Sequence, residues 1–249
     1  MNKDTVFAEK KDRVFAEKKE RIEPFAFNRE VTAVFDDMLK RSVPLYGESI
    51  QRQAQLTAAF YQEQTRIYDL GCSHGNLGFL IAEQFGDIGF SMVGVDSSRP
   101  MIDKYHARLG QAGKSHGIDL VCGLLEDIRI EKASVVLINL TLQFLEQKKR
   151  DALIKKIYQG LVPGGILLVT EKTINKALPL NELEQDFYRR FKRENGYSEL
   201  EISQKRDALE KVLIPESLGV HKKRFLDSGF SSVDVWLKWF NFASMIAIK

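Results

Sequence analysis

From residue 28 onward the hydrophobic positions alternate between helix-like and strand-like rhythms. "NREVTAVFDDMLKRSVPLY" spaces Val31, Val34, Phe35, Met38 and Leu39 along one helical face, with Asn28 as cap and Pro44 as stop. "ESIQRQAQLTAAFYQ" reads as a second helix. A repeating alternation follows: strand "TRIYDLG", helix "NLGFLIAEQF", strand "FSMVGVD", then helix "SSRPMIDKYHARLGQAG" with Pro100 in its first turn. "IDLVCGLL" and "ASVVLINLTLQFL" supply the third and fourth strands. "QKKRDALIKKIYQGL" is a helix ended by "VPGG", and "ILLVTEK" is the fifth strand. This order predicts an α/β, Rossmann-like, mostly parallel sheet with helices on both faces. The rhythm changes after Lys172, where a long, charged, mostly helical stretch is broken at "NGYS". Another helix, "SLGVHKKRFLDSGF", leads to "VDVWLKWFNFASMIAIK", two strands around "FNF". The final hairpin predicts seven strands, one of them antiparallel near the C-terminus.

The 249 residues suffice for one large domain with a full core. At 44% hydrophobic and 29% charged, the composition is that of an ordinary soluble globule. No apolar run approaches the ~18 residues of a membrane span, and the charged N-terminus has no apolar signal-peptide region. Cys72 and Cys122 lie in a turn and a strand with nothing nearby that suggests a metal, so a reduced, cytoplasmic setting is expected. The net charge of +3 is mildly basic, but the basic residues are interspersed with acids and read as solvated faces. The N-terminus holds a near-duplicate, "KDTVFAEKK" followed by "KDRVFAEKK". Two copies cannot build a repeat fold. Residues 1–26 are therefore expected to be a mobile tail or frayed helix, with ordering against a partner subunit as the alternative, and 27–249 one domain with N-terminal helices and a helical insertion at about 174–214.

"YDLGCSHGNLG" carries the candidate chemistry and admits three readings. "GCSHG" satisfies the G-x-S-x-G of a hydrolase nucleophile elbow, but no acid–histidine pair follows at recognisable sheet positions among His74, His106, His116 and His221. A dinucleotide turn needs G-x-G-x-x-G, and Ser73 replaces its middle glycine. Asp69 also stands two residues before Gly71, where a pyrophosphate tolerates no carboxylate. An acid suits a ligand with an ammonium group and no phosphate, such as the methionine end of S-adenosyl-L-methionine (SAM). Asp96, closing the second strand, suits ribose hydroxyls. The competing plain reading is a tight strand–helix turn that binds nothing.

With these residues placed, the chain resembles a Class I SAM-dependent methyltransferase fold from about Phe27 onward. "KRSVPLY", "YDLGCSHG", "LINLTLQFLE", "KIYQGLVPGG", "FKRENGYSELEISQKR" and "WFNFASMIAIK" together resemble the carboxy-S-adenosyl-L-methionine synthase family. The resemblance implies a transferase that converts SAM and prephenate to carboxy-SAM and phenylpyruvate. Its product would pass to a tRNA carboxymethyltransferase for wobble uridine modification, with no direct nucleic-acid or membrane contact required. It further implies a homodimer.

Carried over residue by residue, the resemblance places cofactor contacts on Tyr46, Gly71, Cys72, Ser73, Asp96, Ser97 and Asn139. Arg206, in "SQKR", falls on the arginine that grips the added carboxylate. After the third strand the family commonly carries an acid near adenine, whereas here Leu124 and Leu125 precede Glu126 and Asp127. That leaves open a shifted register or an altered adenine pocket. By pattern alone Arg206 reads as a solvated helix charge, Tyr46 as a core or hinge aromatic, and Asn139 as a strand-end residue. No metal site is expected. Two other functions stay open: a SAM-dependent methyltransferase acting on a small molecule or RNA, and a non-catalytic SAM- or RNA-binding partner.

Overall fold

Seven strands form one sheet in the order β3-β2-β1-β4-β5-β7-β6 in the computed structural model, which describes residues 10–113 and 117–249. Helices α1 (Arg29–Ser42) and α2 (Tyr46–Phe60) precede β1 (Arg66–Leu70), α3 (Asn76–Phe85), β2 (Met92–Asp96), α4 (Arg99–Ala112) and β3 (Ile118–Cys122). β4 (Ala133–Asn139), α5 (Gln147–Gly160) and β5 (Leu161–Lys172) complete the parallel half. α6 (Leu178–Glu194), α7 (Glu199–Leu209) and α8 (Leu218–Ser228) follow, then β6 (Ser232–Trp239) and β7 (Phe242–Ile248). β7 runs antiparallel between β5 and β6, so the C-terminal hairpin contributes the one reversed strand.

Alternation along the central strands builds both layers. In β4, Val135 and Leu137 join a core with Ile50 and Ala54 of α2, Ile81 of α3 and Tyr105 of α4. Val136 and Ile138 point the other way, to Leu153 and Ile157 of α5 and Phe225 of α8. Successive side chains of a strand face opposite sides, so a strand buried on both faces reads as an unbroken apolar run. Asn28 caps α1 by accepting from Val31 N–H at 3.0 Å, as the sequence predicts. "VPGG" is not a simple helix stop. Leu161 pairs with Ala133 and Ile166 with Val135, so residues 162–165 bulge from the start of β5.

Residues 12–19 do not behave as the expected tail. Asp12 is 2% exposed and Phe15 7%. The Tyr197 hydroxyl donates to Asp12 Oδ2, and Gln204 on α7 donates to the carbonyls of Phe15 and Glu17 at 2.9 and 2.8 Å. Arg41 binds the Asp12, Asn195 and Gly196 carbonyls, tying this strap to α1 and to the α6–α7 turn. The second copy of the duplicated segment is therefore an anchored strap, because "GYSELEISQKR" offers it polar partners. Most of the first copy, and His116, lie outside the described residues.

α6 departs from the usual rule for an amphipathic helix. Its apolar stripe faces outward, with Leu180 51%, Leu183 46% and Phe187 39% exposed, while Glu184 and Lys192 are its buried residues. Among the described residues, no helix is long and apolar enough to cross a membrane.

Candidate functional site at the glycine turn

The turn between β1 and α3 is shaped by close approach. Gly71 has φ +89°, and a Cβ there would overlap the Thr141 side chain in the loop after β4. Gly75, at φ +91°, lies equally tightly under the Tyr105 ring. Ser73 has φ +47°, a strained conformation for a residue with a side chain, and its N–H donates to Asp96 Oδ2 at 2.9 Å. Asp96 Oδ1 accepts from Ser98 N–H at 2.8 Å, so one carboxylate braces both the turn and the start of α4.

A cavity of about 370 Å³ opens against this turn. Tyr46, Asp69, Gly71, Cys72, Ser73, Asp96, Ser97, Leu124, Leu125 and Asn139 all line it. Tyr46 stands in the first turn of α2. Leu124 exposes its side chain, whereas Leu125 turns inward and packs in the core, and Glu126, also lining the cavity, pairs with Lys149 at 3.0 Å. Arg206 is the exception among the expected residues. It sits on α7, lines a neighbouring cavity, and pairs with Asp207 at 2.9 Å with its side chain 70% exposed.

The two aspartates differ electrostatically. Asp69 is buried, and among the described residues its Oδ2 has no hydrogen-bond partner. Burial, with the Asp96 carboxylate adding, raises its pKa to about 7. Asp96 is also raised by burial, against the pull of the Ser98 and Ser73 amides. A buried unpaired carboxylate oxygen at a cavity wall calls for a cationic or N–H-bearing ligand group. The Cys72 thiol is pushed up by burial and by the two aspartates, which leaves it unreactive.

A polar layer packs behind the turn, built from residues that carry no joint signal along the chain. His74 is fully buried, 3.2 Å from Asp36 on α1, and Arg108 on α4 reaches its Nδ1 and carbonyl and the Asn76 side chain at 3.1, 2.7 and 2.8 Å. Burial lowers the His74 pKa against the pull of Asp36. An acid–histidine pair thus exists beside Ser73, but both ring nitrogens face Asp36 and Arg108 and neither faces the Ser73 hydroxyl. That removes the hydrolase reading. Glu171 accepts from the amides of Thr141, Leu142 and Gln143 at 3.0, 2.8 and 2.9 Å and fixes the loop that meets Gly71.

Strand order, the glycine turn and the acids closing β1 and β2 define a Class I SAM-dependent methyltransferase-like protein. The methyltransferase domain family matches residues 67–165. An O-methyltransferase family protein from Burkholderia thailandensis aligns with a TM-score of 0.66 at 17% identity, covering 92% of this chain and 65% of that one. Sequence narrows the class. The chain is 60% identical to the carboxy-S-adenosyl-L-methionine synthase of Desulforapulum autotrophicum, over 100% of this chain and 98% of the relative. It is 44% identical to that of Shewanella woodyi, over 100% and 99%. The chain belongs to the carboxy-S-adenosyl-L-methionine synthase family and is an enzyme of the transferase class.

Proposed function

We propose that the protein makes carboxy-SAM from SAM and prephenate and releases phenylpyruvate. The observation that carries this reading is the unpartnered Asp69 Oδ2 in a cavity that gathers the other turn and strand-end residues, within a chain related end to end to named synthases. Asp69 takes the SAM ammonium, Asp96 and Ser97 the ribose, and the segment around Leu124 and Leu125 the adenine edge. Asn139 and Tyr46 close the cavity beside the sulfonium.

The reaction balances without a protein acid or base. Prephenate loses its ring carboxylate as CO2 and its ring hydroxyl as hydroxide while the ring aromatises. The hydroxide takes one proton from the sulfonium methyl and leaves as water, and the methyl carbon bonds to CO2. The protein's part is orientation and exclusion of water. Arg206 takes the new carboxylate. Its exposed pair with Asp207 is worth only about 0–1 kcal/mol, so a carboxylate ligand can draw the guanidinium away.

The product then serves a tRNA carboxymethyltransferase acting at the wobble uridine, so this enzyme needs no RNA contact of its own, and its setting is cytoplasmic. The functional unit is a homodimer. The outward stripe of Leu180, Leu183 and Phe187, continued by Phe240 stacked 4.4 Å from Phe187, suits burial against a second copy.

The test is incubation with SAM and prephenate labelled at the ring carboxyl. Label in a SAM-derived product, absent when prephenate is omitted, supports the synthase. Methyl transfer to an acceptor without prephenate would replace it with a methyltransferase.

A further inference from the structure

Beside the glycine-turn cavity lies a second one of about 270 Å³. Phe25, Phe27, Phe35, Leu39, Leu140 and Phe144 line both, forming a common wall. Phe27 is its centre, edge-on to Phe144 at 5.1 Å and to Phe35 at 6.0 Å between ring centroids. The second cavity is walled on the side of β5, α6 and α7 by five cations: Lys172, Arg189, Lys192, Lys205 and Arg206. Among the described residues Glu210 is the one acid in that lining.

These cations come from separate elements and are not a solvated charge run. Lys192 and Lys205 are each 8% exposed. Lys172 and Lys192 lie 4.9 and 4.4 Å from the Tyr188 ring centroid, and among the described residues neither has a carboxylate partner. Lys205 has Asp12 as its ion-pair partner among the described residues, at 3.6 Å, and donates to the Ser42 hydroxyl at 3.4 Å. Arg189 and Arg206 pair with Asp186 and Asp207 on the solvent side. Burial brings the Lys192 ammonium to about 7, with Lys172, Lys205, Arg189 and Arg206 adding their repulsion, and burial brings Lys172 to about 8. Burying ammonium groups together without counter-ions is unfavourable, and an organic anion relieves both the desolvation and the repulsion.

The geometry points to this cavity as the binding site for a ring-bearing carboxylate, with Lys172 and Lys192 holding its carboxylate and the phenylalanine wall packing its ring. It rests on the synthase reading only in one respect, the identity of the ligand as the carboxyl donor. The donor's retained 2-oxo carboxylate then sits on the lysines, its ring lies on Phe27 and Phe144, and its departing carboxylate faces the SAM cavity. Tyr188, fixed by its hydroxyl donating to the Ser42 carbonyl at 2.9 Å, has its ring centroid 4.9 and 4.4 Å from the two ammonium groups.

Calorimetric titration with phenylpyruvate and with prephenate tests the site directly, alongside titration with SAM. Lys192→Met and Lys172→Met each remove a buried cation and should fold. Each is expected to weaken phenylpyruvate and prephenate by roughly tenfold or more while leaving SAM affinity within about twofold. Lys211→Met, the same charge change outside the cavity, should alter neither. If the parent binds the ring carboxylates, the lysine variants lose them and no carboxy-SAM is ever formed, the site stands and the synthase reading fails alone. Equal binding by parent and lysine variants, or no binding by the parent, overturns the site. An unchanged KM for prephenate in variants of a working synthase also overturns it.

Discussion

Asp69 and Asp96 close neighbouring parallel strands and face one cavity, yet only Asp96 has both oxygens engaged by backbone amides. Asp69 keeps a buried oxygen without a donor among the described residues. Both acids line the cavity, but Asp69 alone of the two offers it an oxygen not already held by an amide, and the difference has a pH signature.

Asp69's folded pKa of about 7 lies above its ordinary value of 3.8. The ligand-free folded state therefore retains a proton that the unfolded chain has lost between those values. The stability this contributes is present below the lower value and is lost as pH rises through the upper one. A ligand ammonium reverses the preference and expels the proton. At pH 6, SAM binding should release up to about one proton, seen as a dependence of binding heat on buffer ionisation. Asp69→Asn should abolish that release and cost about 1.5–3 kcal/mol of SAM affinity. Buffer-independent heats in the parent would remove Asp69 from the ligand.

Arg206→Lys should keep the fold and SAM affinity but lose carboxy-SAM retention by roughly tenfold or more, because lysine lacks the planar fork that binds a carboxylate through two parallel bonds. Competition between SAM and carboxy-SAM in both proteins measures it. Equal carboxy-SAM affinity would leave Arg206 with its exposed Asp207 pair alone.

Arg41 links α1, the α6–α7 turn and the strap, and lies 3.8 Å above the Tyr197 ring. Arg41→Ala leaves the strap carbonyl and the turn carbonyls without its guanidinium and removes the cation beside Asp37, which keeps the Asp12 N–H. It should lower unfolding free energy by about 3 kcal/mol in a urea titration. A change within about 0.5 kcal/mol would mean that the strap does not hold α7 in place.

Leu183→Glu should convert a dimer to a monomer in light scattering, because it puts a charge at the centre of the outward stripe of α6. A parent that is already monomeric, or a variant that stays dimeric, would contradict that interface.

The parallel half of the fold was legible because each element carried its own signal: a cap at Asn28, a stop at Pro44, unbroken apolar runs in β4 and β5. The glycine-turn cavity was legible for the same reason, since Asp69, Gly71 and Asp96 sit at strand ends and topology brings strand ends together. Long-range packing was not. Lys172, Lys192 and Lys205 meet only after β5, α6 and α7 are arranged, and each alone looks like a surface charge. α6 misled by direction, since a helical stripe shows that a face will be covered but not by what. The strap was missed because the partners of Asp12 and Phe15, in Tyr197 and Gln204, lie more than half the chain away.

If the proposed reaction is right, the glycine-turn cavity holds carboxy-SAM. Mass spectrometry of the small molecule released from freshly purified, gently denatured protein tests it most directly. The expected mass is that of SAM plus a carboxyl group. Plain SAM or its demethylated product, with no carboxylated species, would contradict it and return the protein to methyl transfer.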